Sequence, residues 1–469
     1  MYPVFVIDPI VIRKGLLALS HHEDISALEQ QLNSFHAGTR LSALKEIATL
    51  VKSGKITVPA SKREVNLHFH TFFSFNANAW SPSRIAWESK KYGLEAAGIV
   101  DFDVLDGMDE FLAAGEQLEI KTVVGLESRV FISEWADKIT SSPNEPGVSY
   151  FMAEGCFKCP PTGSESVAIL LSMSKTARER NLALIALVND YLAPVRLKYE
   201  TDAVPLTPAG NVTERHLLAA YDQKARHIFD DDTAKISAFW AEKLGISLSE
   251  AEALVPDTPK FHEKMRSKLM KFGGVGYIPP SSGSFPSIED AVKMIRGMEA
   301  IPMIAWLDGT NDGEEDADAF LELLKSKGVV ACNIIPDRNW NIKNPDEKGL
   351  KVKKLGKFVA AARANNFPIA VGTEMNKAGL PFVDGFSSPE LAPYVKDFID
   401  GANLFYAHTI LSRYVGFGYL SDAMTDAFGD DIAAKNRFFT QVGEKFRTHE
   451  SLVKFNCTKA PSEILQVLE

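Results

Sequence analysis

Residues 65–71 read VNLHFHT, and this short apolar run decides how the chain folds. His68 and His70 lie two positions apart, and alternate residues of a β-strand point to the same face of a sheet. Two neighbouring imidazoles on an inner face are a ready pair of ligands for a divalent metal. A hydrogen-bonded pair of core histidines is the alternative that the pattern leaves open. The helix entry Ser81-Pro82 that follows favours the metal.

Six further apolar runs share the character of the first, and each ends in a polar or glycine-containing turn. Such runs, without clean alternation of polar and apolar residues, are typical of parallel strands that are buried on both faces. Helical stretches separate several of the runs, and this alternation predicts a parallel sheet or barrel. The seven predicted strands are VNLHFHT (65–71), AAGIVDFD (96–103), KTVVGLESRVF (121–131), GVSYFMAEG (147–155), IPMIAWLDG (301–309), GVVACNIIPD (328–337) and FPIAVGTE (367–374).

The stretches outside these runs divide the chain. Apolar residues at three- and four-residue spacing predict helices near the start, over a long central span and near the end. The length of 469 residues suits a βα barrel with insertions. We predict an N-terminal helical segment (1–62), the first part of the barrel (63–164), a helical insertion (165–285), the second part of the barrel (286–387) and a C-terminal helical segment (388–469).

Composition and charge narrow the class of protein. Apolar residues make up 45% of the chain and charged residues 24%, which fits a globular enzyme with a sizeable core. The net charge of −10 opposes nucleic-acid binding over a broad surface, although a local basic pocket could still take a small phosphorylated substrate. The four cysteines are too few for a disulfide framework. No apolar run approaches the roughly 18 residues of a membrane span, and no secretory signal is recognisable, so we expect a cytoplasmic protein.

Acidic residues at the predicted strand ends are the next candidates, because the reactive groups of a βα barrel lie at the C-terminal ends of its strands. Glu127 and Glu374 each stand where a strand should finish, in otherwise apolar surroundings. A buried lone carboxylate is costly without a partner. Two carboxylates at the same barrel mouth as two histidines therefore indicate a shared cation, unless they cap neighbouring helices.

Two more polar residues follow predicted strands. Asp103 could act as a general base if it faces the barrel mouth. Arg338 could pair with a phosphate or carboxylate through two parallel hydrogen bonds. A surface turn rich in Asp and Asn is the alternative interpretation for the segment that contains Arg338.

Taken together, these segments resemble the PHP (polymerase and histidinol phosphatase) family. The resemblance implies an α/β fold, namely a distorted TIM-like barrel of seven βα units, with up to three zinc, manganese or iron ions at the strand ends. It also implies phosphoester hydrolysis by water that a metal ion activates. The motifs occur in the family's order within about 65–131 and 300–376, and they are Asn66-Leu67-His68-Phe69-His70-Thr71 with Ser74, Val100-Asp101-Phe102-Asp103 with Gly107, Gly125-Leu126-Glu127 and Gly372-Thr373-Glu374.

The resemblance implies one metal site whose ligands are all retained and one that is lost. The first metal of the family would take two histidines and two acidic residues, which here are His68, His70, Glu127 and Glu374. A third metal would take residues that here are Asn76, Phe102 and Asn376. Phenylalanine cannot bind a metal and the two amides are poor ligands, so this third site should be absent.

The second metal site departs from the family pattern. It would share Glu127 and add histidines from two later strands, but the runs at 147–155 and 301–309 contain none. Asp308 could substitute for one of them, and His216 could reach in from the insertion. For His216 the alternative is a structural role, since Asn211-x-x-Glu214 is typical of a capping box that opens a helix.

We therefore expect a metal-dependent hydrolase of the PHP type, a phosphoesterase that acts on a small anionic molecule. Its cofactor would be one or two divalent ions, with zinc preferred and manganese or iron as alternatives. We expect no nucleic acid and no membrane among its partners. The alternative is a catalytically reduced barrel that binds a ligand or serves as a scaffold, because a fold does not guarantee an activity.

Overall fold

Seven strands form one sheet whose order follows the chain, in a computed structural model that describes residues 25–280, 283–446 and 461–468. All seven predicted strands are present, and most are shorter than the apolar run that predicted them. They are β1 (Val65–Phe69), β2 (Ala96–Phe102), β3 (Lys121–Phe131), β4 (Val148–Glu154), β5 (Ile301–Trp306), β6 (Ala331–Ile334) and β7 (Ile369–Val371).

Helices flank this sheet and fill the predicted insertion, and residues 25–31 are also helical. The part of the predicted N-terminal segment before residue 25 lies outside the described residues, as do 447–460 near the other end. The helices are α1 (Ala37–Lys52), α2 (Pro82–Tyr92), α3 (Met108–Leu118), α4 (Glu165–Tyr191), α5 (Glu214–Ile228), α6 (Thr233–Leu244), α7 (Leu248–Leu254), α8 (Thr258–Leu269), α9 (Ile288–Gly297), α10 (Ala317–Ser326), α11 (Asp337–Trp340), α12 (Pro345–Ala364), α13 (Val395–Tyr414), α14 (Asp422–Phe428), α15 (Ile432–Lys445) and α16 (Pro461–Val467).

The sheet closes into a barrel where β1 meets the residues that follow β7. Phe69 and Glu374 form a parallel bridge. The Glu374 N–H donates to the His68 carbonyl at 2.7 Å, and the His70 N–H donates to the Glu374 carbonyl at 2.8 Å. The predicted seven-strand α/β barrel is therefore confirmed, and its closure brings the ends of β1 and β7 together.

The direction of β4 was predicted wrongly. It pairs antiparallel with both β3 and β5, whereas the other neighbouring strands pair in parallel. A parallel pair needs a crossover connection, usually a helix, whereas antiparallel strands can be joined directly. The connection between β3 and β4 contains only the short 3₁₀ turn Ser133–Trp135, so the chain returns down the barrel beside β3.

The reversed β4 explains the course of α4. The chain leaves β4 at the lower end of the barrel, opposite the mouth at which β1, β2 and β3 end. Ser166, in the first turn of α4, lies against Gly297 at the end of α9, just before β5 begins. Further along α4, Ser174 approaches the Asp103 carbonyl at 3.4 Å. A helix of 27 residues is about 40 Å long, so α4 carries the chain from the lower end back to the mouth.

Two hydrophobic cores hold these layers together. The larger core lies between the barrel strands and the helices around them. A second core lies inside the helical stretch between β4 and β5, where Tyr221, Trp240 and Phe261 are fully buried. The division of the chain at residues 165 and 285 stays a prediction. Among the described helices, none combines the length and the apolarity that crossing a membrane requires.

We expect Gly98→Ala to destabilise the barrel. A Cβ at Gly98, in β2, would lie 2.7 Å from both the Cα and the carbonyl oxygen of Leu67 in β1. Forcing extra volume into a packed strand pair costs about 1–3 kcal/mol. Gly349 is the matched control, because a Cβ there would meet nothing within 4 Å and the residue lies inside α12. Urea unfolding should show Gly349→Ala unchanged or up to about 1 kcal/mol more stable; equal free energies for both variants would contradict this packing.

We expect Glu154→Gln to flatten the pH dependence of stability. Glu154 is fully buried at the end of β4, neither carboxylate oxygen has a hydrogen-bond partner, and burial raises its pKa well above the ordinary 4.5. The wild type therefore loses stability as the pH rises from the unfolded-state pKa towards the folded one, whereas glutamine does not titrate. The free energy of unfolding of the variant relative to the wild type should therefore rise as the pH increases above about 5 towards the folded-state pKa, by at most about 1.4 kcal/mol per pH unit. Urea unfolding measures this difference in free energy between variant and wild type. A difference that stays constant as the pH rises would show that Glu154 is already ionised.

Candidate metal centre

Three buried side chains from two strands meet at the barrel mouth. His68, in β1, and His70, directly after it, point inward because they are two apart, and Glu127 reaches them from β3. Their possible ligand atoms all lie within 4.8 Å of one another. Glu127 Oε2 is 3.5 Å from His68 Nε2 and 3.3 Å from His70 Nε2. The structure thus brings together three of the four residues expected at the first metal.

The outer nitrogen of His68 is held by an amide. His68 Nδ1 lies 3.2 Å from Asn333 Oδ1, in β6. The amide nitrogen of Asn333 donates to the Ala370 carbonyl at 3.3 Å, which leaves Oδ1 as the acceptor towards the imidazole. His68 Nδ1 therefore carries the hydrogen, and in the neutral ring Nε2 presents a lone pair to the group.

The outer nitrogen of His70 is held by a hydroxyl. His70 Nδ1 lies 3.1 Å from Ser74 Oγ, and Ser74 Oγ donates to Asp101 Oδ1 at 2.5 Å. Because that hydroxyl hydrogen is used on Asp101, the serine oxygen accepts from His70 Nδ1, and His70 Nε2 also presents a lone pair. Asp101 is itself fixed by the backbone N–H and the hydroxyl of Thr71, at 2.8 and 2.7 Å. It acts on the histidine through a serine, an arrangement that orients metal-binding imidazoles.

While both rings are neutral, no hydrogen therefore lies between the three inner atoms. His68 Nε2, His70 Nε2 and Glu127 Oε2 are buried and have no hydrogen-bond partner. Burial opposes charge on both residues, yet the Glu127 carboxylate raises the pKa of His68, and the two histidines hold the pKa of Glu127 at about 2. The pocket thus attracts positive charge. Two ligands about 2.1 Å from a tetrahedral ion lie about 3.4 Å apart, so the observed separations suit one divalent cation.

Glu374 lies beside this group but faces a different partner. Both of its carboxylate oxygens accept hydrogen bonds from Arg338 Nη2, each at 2.9 Å. Burial alone would raise the pKa of Glu374, but the Arg338 charge lowers it. Its carboxylate is not among the close donor atoms of the group, although its charge contributes to the raised pKa of His68.

Asp103 and Asp308 both line the cavity at the barrel mouth. Asp103 Oδ1 accepts from the Ser128 hydroxyl at 2.6 Å, and burial raises its pKa above the ordinary 3.8. Asp308 accepts from the N–H and hydroxyl of Thr310 and pairs with Lys351 Nζ at 3.1 Å. Although burial opposes its charge, these contacts lower the pKa of Asp308.

His216 caps a helix and is not part of the group. Its Nδ1 accepts from the Thr213 N–H at 3.1 Å, and Thr213 is the N-cap of α5. The predicted capping box of Asn211 and Glu214 was misplaced by two residues, because the helix begins at Glu214. Burial lowers the pKa of His216 to about 4, and its ring packs edge-on against Phe75. Its chemistry here is that of a neutral structural histidine.

Two of the positions at which the resemblance would place ligands of a third metal contact His70. The Phe102 ring stacks on the His70 ring, with centroids 4.6 Å apart. The Asn76 amide nitrogen donates to the His70 carbonyl at 2.8 Å, and its oxygen accepts from the Asn78 N–H at 2.8 Å. Phe102 and Asn76 therefore hold His70 and its loop in place. The family pattern would have metal ligands at these two positions.

We call His68, His70 and Glu127 the metal group. A cavity of about 1500 Å³ opens from the metal group towards the helical insertion. Several of the polar residues that shape it were not predicted from the sequence. Asn333 was recognisable only as an amide inside an apolar strand. Arg129 was detectable, because it lies two residues after Glu127 and so shares its face of β3. The place of Arg180 in the cavity could not be predicted from the sequence, because only the tertiary structure brings α4 over the mouth.

Comparison with known proteins identifies a family over part of the chain. The PHP domain family matches residues 66–223. Error-prone DNA polymerases from Mycobacterium tuberculosis and Mycobacterium bovis are each 33% identical over 94 residues, which is 20% of this chain. The matched stretch spans only 8% of the length of these relatives.

Two solved structures are also similar. A protein from Bifidobacterium adolescentis that bears the name of a metal-dependent phosphoesterase is 13% identical, with a TM-score of 0.45 over 73% of this chain and 98% of that one. An amidohydrolase from Chromobacterium violaceum, with bound sulfate and no metal, is 16% identical, with a TM-score of 0.44 over 71% of this chain and 96% of that one. The barrel assignment rests on the sheet order and closure described above.

The family match confirms the resemblance found in the sequence over part of the chain. His68, His70 and Glu127 fall within the matched residues 66–223. Glu374 and Arg338 lie beyond them, so their place beside the metal group rests on the geometry alone.

We expect Asn333→Leu to weaken metal binding without unfolding the barrel. The leucine would remove the acceptor that fixes the His68 tautomer, and loss of such a partner typically costs about 10–100-fold in metal affinity. Asn333→Asp keeps an oxygen opposite His68 Nδ1 and is the matched control. Zinc affinities from competition with a chromophoric chelator should fall for leucine and recover for aspartate. If leucine left the affinity unchanged, the Nδ1 contact would not orient a ligand.

Proposed function

We propose that this chain, which matches the PHP domain family over residues 66–223, is a metal-dependent hydrolase that cleaves a phosphoester of a small anionic molecule. The observation that carries the proposal is the group of three unpartnered, buried donor atoms on His68, His70 and Glu127. Their residue types, separations and fixed tautomers all suit one divalent cation.

The donor set supports a catalytic rather than a purely structural ion. Two imidazoles and one carboxylate leave the fourth position of a tetrahedral ion open, as in zinc hydrolases, whereas structural zinc sites are closed by four protein ligands. The pairing of Glu374 with Arg338 keeps that carboxylate out of the donor set. A bound divalent ion would supply positive charge that polarises a phosphoryl oxygen and acidifies water. The nitrogen and oxygen donors favour zinc, with manganese or iron as alternatives.

Arg338 is placed to hold the reacting phosphate. Its side chain is 43% exposed at the cavity, and it contacts Glu374 through Nη2 alone among the described contacts. Its other N–H groups can donate to a phosphate oxygen, and the guanidinium geometry favours such pairing. Glu374 would position this arginine.

Asp103 is the carboxyl group best suited to exchange a proton. Burial raises its pKa, which moves it towards the range in which a general acid or base works at neutral pH. Asp308 is less suited because its contacts with Lys351 and Thr310 lower its pKa. We assign to Asp308 a structural role at the barrel mouth, where it holds Thr310 and Lys351 in place. We assign to Asp103 the transfer of a proton during hydrolysis.

A ligand-binding barrel without hydrolysis is the second candidate. The Arg338–Glu374 ion pair favours it, because a carboxylate that the family pattern offers to the first metal is neutralised by an arginine instead. In either case we propose a small anionic molecule as the partner, and a cytoplasmic location.

A test of the function compares metal content and hydrolysis in matched variants. We expect purified wild type to bind about one zinc ion and to hydrolyse a phosphoester from a panel of monoesters and diesters. The double variant His68→Ala, Glu127→Gln should lose both. His36→Ala is the control, because His36 only caps α1, and it should retain both properties. Elemental analysis and phosphate release provide the readouts.

The outcomes separate the two candidates. Zinc bound equally by the double variant would show that these residues are not the ligands. Zinc lost in the double variant, but with no hydrolysis by the loaded wild type across the panel, would favour the ligand-binding barrel.

A further inference from the structure

Four cationic side chains line the same cavity farther from the metal group. Arg129 lies on β3, Arg180 on α4, Arg266 on α8, and Lys271 follows α8. We call these four residues the outer cation cluster. Three of them come from the helical stretch between β4 and β5, so the insertion supplies most of the positive charge in this part of the cavity.

Strand geometry places the backbone of Arg129 beyond that of Glu127. Arg129 follows Glu127 by two residues on β3, so both side chains point to the same face. Two residues of a strand span about 7 Å, so the Cα of Arg129 lies about that much farther along β3 than the Cα of Glu127.

A single aromatic ring holds two of the guanidinium groups. The Cζ atoms of Arg129 and Arg180 lie 4.3 and 4.6 Å from the centroid of the Phe285 ring. Phe285 is buried, and Arg180 Nη1 donates to the Ser284 carbonyl at 2.9 Å. Stacking on an aromatic face stabilises a cation and leaves its N–H groups in the plane free to point at a ligand.

Most charges of the cluster are balanced by carboxylates. Arg129 Nη1 pairs with Glu145 at 2.9 Å. Arg266 and Lys271 share Glu214, at 3.0 and 3.1 Å. Although burial opposes its charge, these two cations together with Arg129 hold the pKa of Glu214 at about 2. This part of the cluster is therefore a set of ionised pairs.

Arg180, in contrast, is not paired with a carboxylate of the described residues. Among the described residues no carboxylate oxygen lies within 4.0 Å of its guanidinium, and Asp103 is the carboxylate whose charge acts on it most strongly. Burial and the charge of Arg129 lower its pKa to about 10. Within the outer cation cluster, Arg180 is thus the cation without a paired carboxylate at its guanidinium. A half-buried cation that lacks such a partner favours binding of an anion.

We propose that Arg129 and Arg180, held on Phe285, form a second anion subsite of the cavity, which takes a phosphate or carboxylate group at the far end of an elongated substrate. The assignment of the near end to the metal group rests on the proposed function. The subsite itself does not depend on a bound metal. Such a substrate carries an anionic group at each end, and the helical insertion provides the specificity for the far one through Arg180 and Phe285.

The first experiment measures binding of inorganic phosphate to metal-free full-length protein by calorimetry. Arg180→Gln should weaken binding about tenfold or more, since hydrogen bonds between charged groups contribute that much. Arg180→Lys should retain part of the affinity, and it keeps the test open if glutamine impairs folding. Arg178→Gln is the matched control, because Arg178 lies on the same helix, pairs with Glu200 and does not line the cavity. It should bind as the wild type does.

The location of the bound phosphate is tested by the His68→Ala, Glu127→Gln variant. Unchanged phosphate affinity in this variant supports a subsite apart from the metal group, even if the protein proves not to be a hydrolase. Three results would overturn the proposal, namely no phosphate binding by wild type, equal affinities for wild type and Arg180→Gln, or loss of binding only in the metal-ligand variant.

The second experiment tests the spacing in zinc-loaded protein with two bisphosphonates. Pentamethylene bisphosphonate can span both subsites, whereas methylene bisphosphonate is too short. We expect the longer compound to bind about tenfold more tightly to wild type and to lose this advantage in Arg180→Gln. Equal affinities of the two compounds for wild type would refute an elongated substrate with two anionic ends.

Discussion

Two imidazole nitrogens and one carboxylate oxygen face one another in the interior of this barrel without a hydrogen between them. The tautomers of His68 and His70 are fixed from outside, by Asn333 and by Ser74 with Asp101, so neither ring can relieve the contact while it stays neutral. Only a proton or a metal ion can stabilise such a group. The surrounding contacts keep these donor atoms oriented and shielded from solvent.

The barrel provides that orientation through its closure. Glu374 forms backbone hydrogen bonds with both histidines of β1, so the strand that carries them is clamped between β2 and the residues after β7. The Glu374 side chain then holds Arg338 over the cavity instead of joining the donor atoms. One residue thus closes the barrel and positions a cation at its mouth. The open fourth position of the proposed ion follows from this division of roles.

The reversed β4 has a consequence for the other side of the cavity. Because the chain emerges at the lower end, the long helix α4 has to return to the mouth, and it brings Arg180 with it. The helices that follow add Arg266 and Lys271, and the segment before α9 adds Phe285. An acidic protein therefore places a cluster of cations in the cavity beside its metal group.

The sequence predicted much of the fold because local patterns encode it. Seven apolar runs marked seven strands, and the spacing of His68 and His70 placed them on one face. The direction of β4 could not be predicted from its own residues, because it depends on a connection that lacks a crossover helix. The partner of Glu374 was also hidden, since Arg338 is distant in sequence and only the folded barrel brings the two together. His216 was a misleading candidate because an imidazole can cap a helix as well as bind a metal.

Anomalous diffraction from crystals grown with zinc would test the central claim most directly. The geometry predicts one strong peak about 2.0–2.2 Å from His68 Nε2, His70 Nε2 and Glu127 Oε2, with Glu374 still bound to Arg338. A map without a peak between these three atoms, from crystals that bind zinc elsewhere, would contradict the account. Their mutual approach would then be a feature of the packed interior alone.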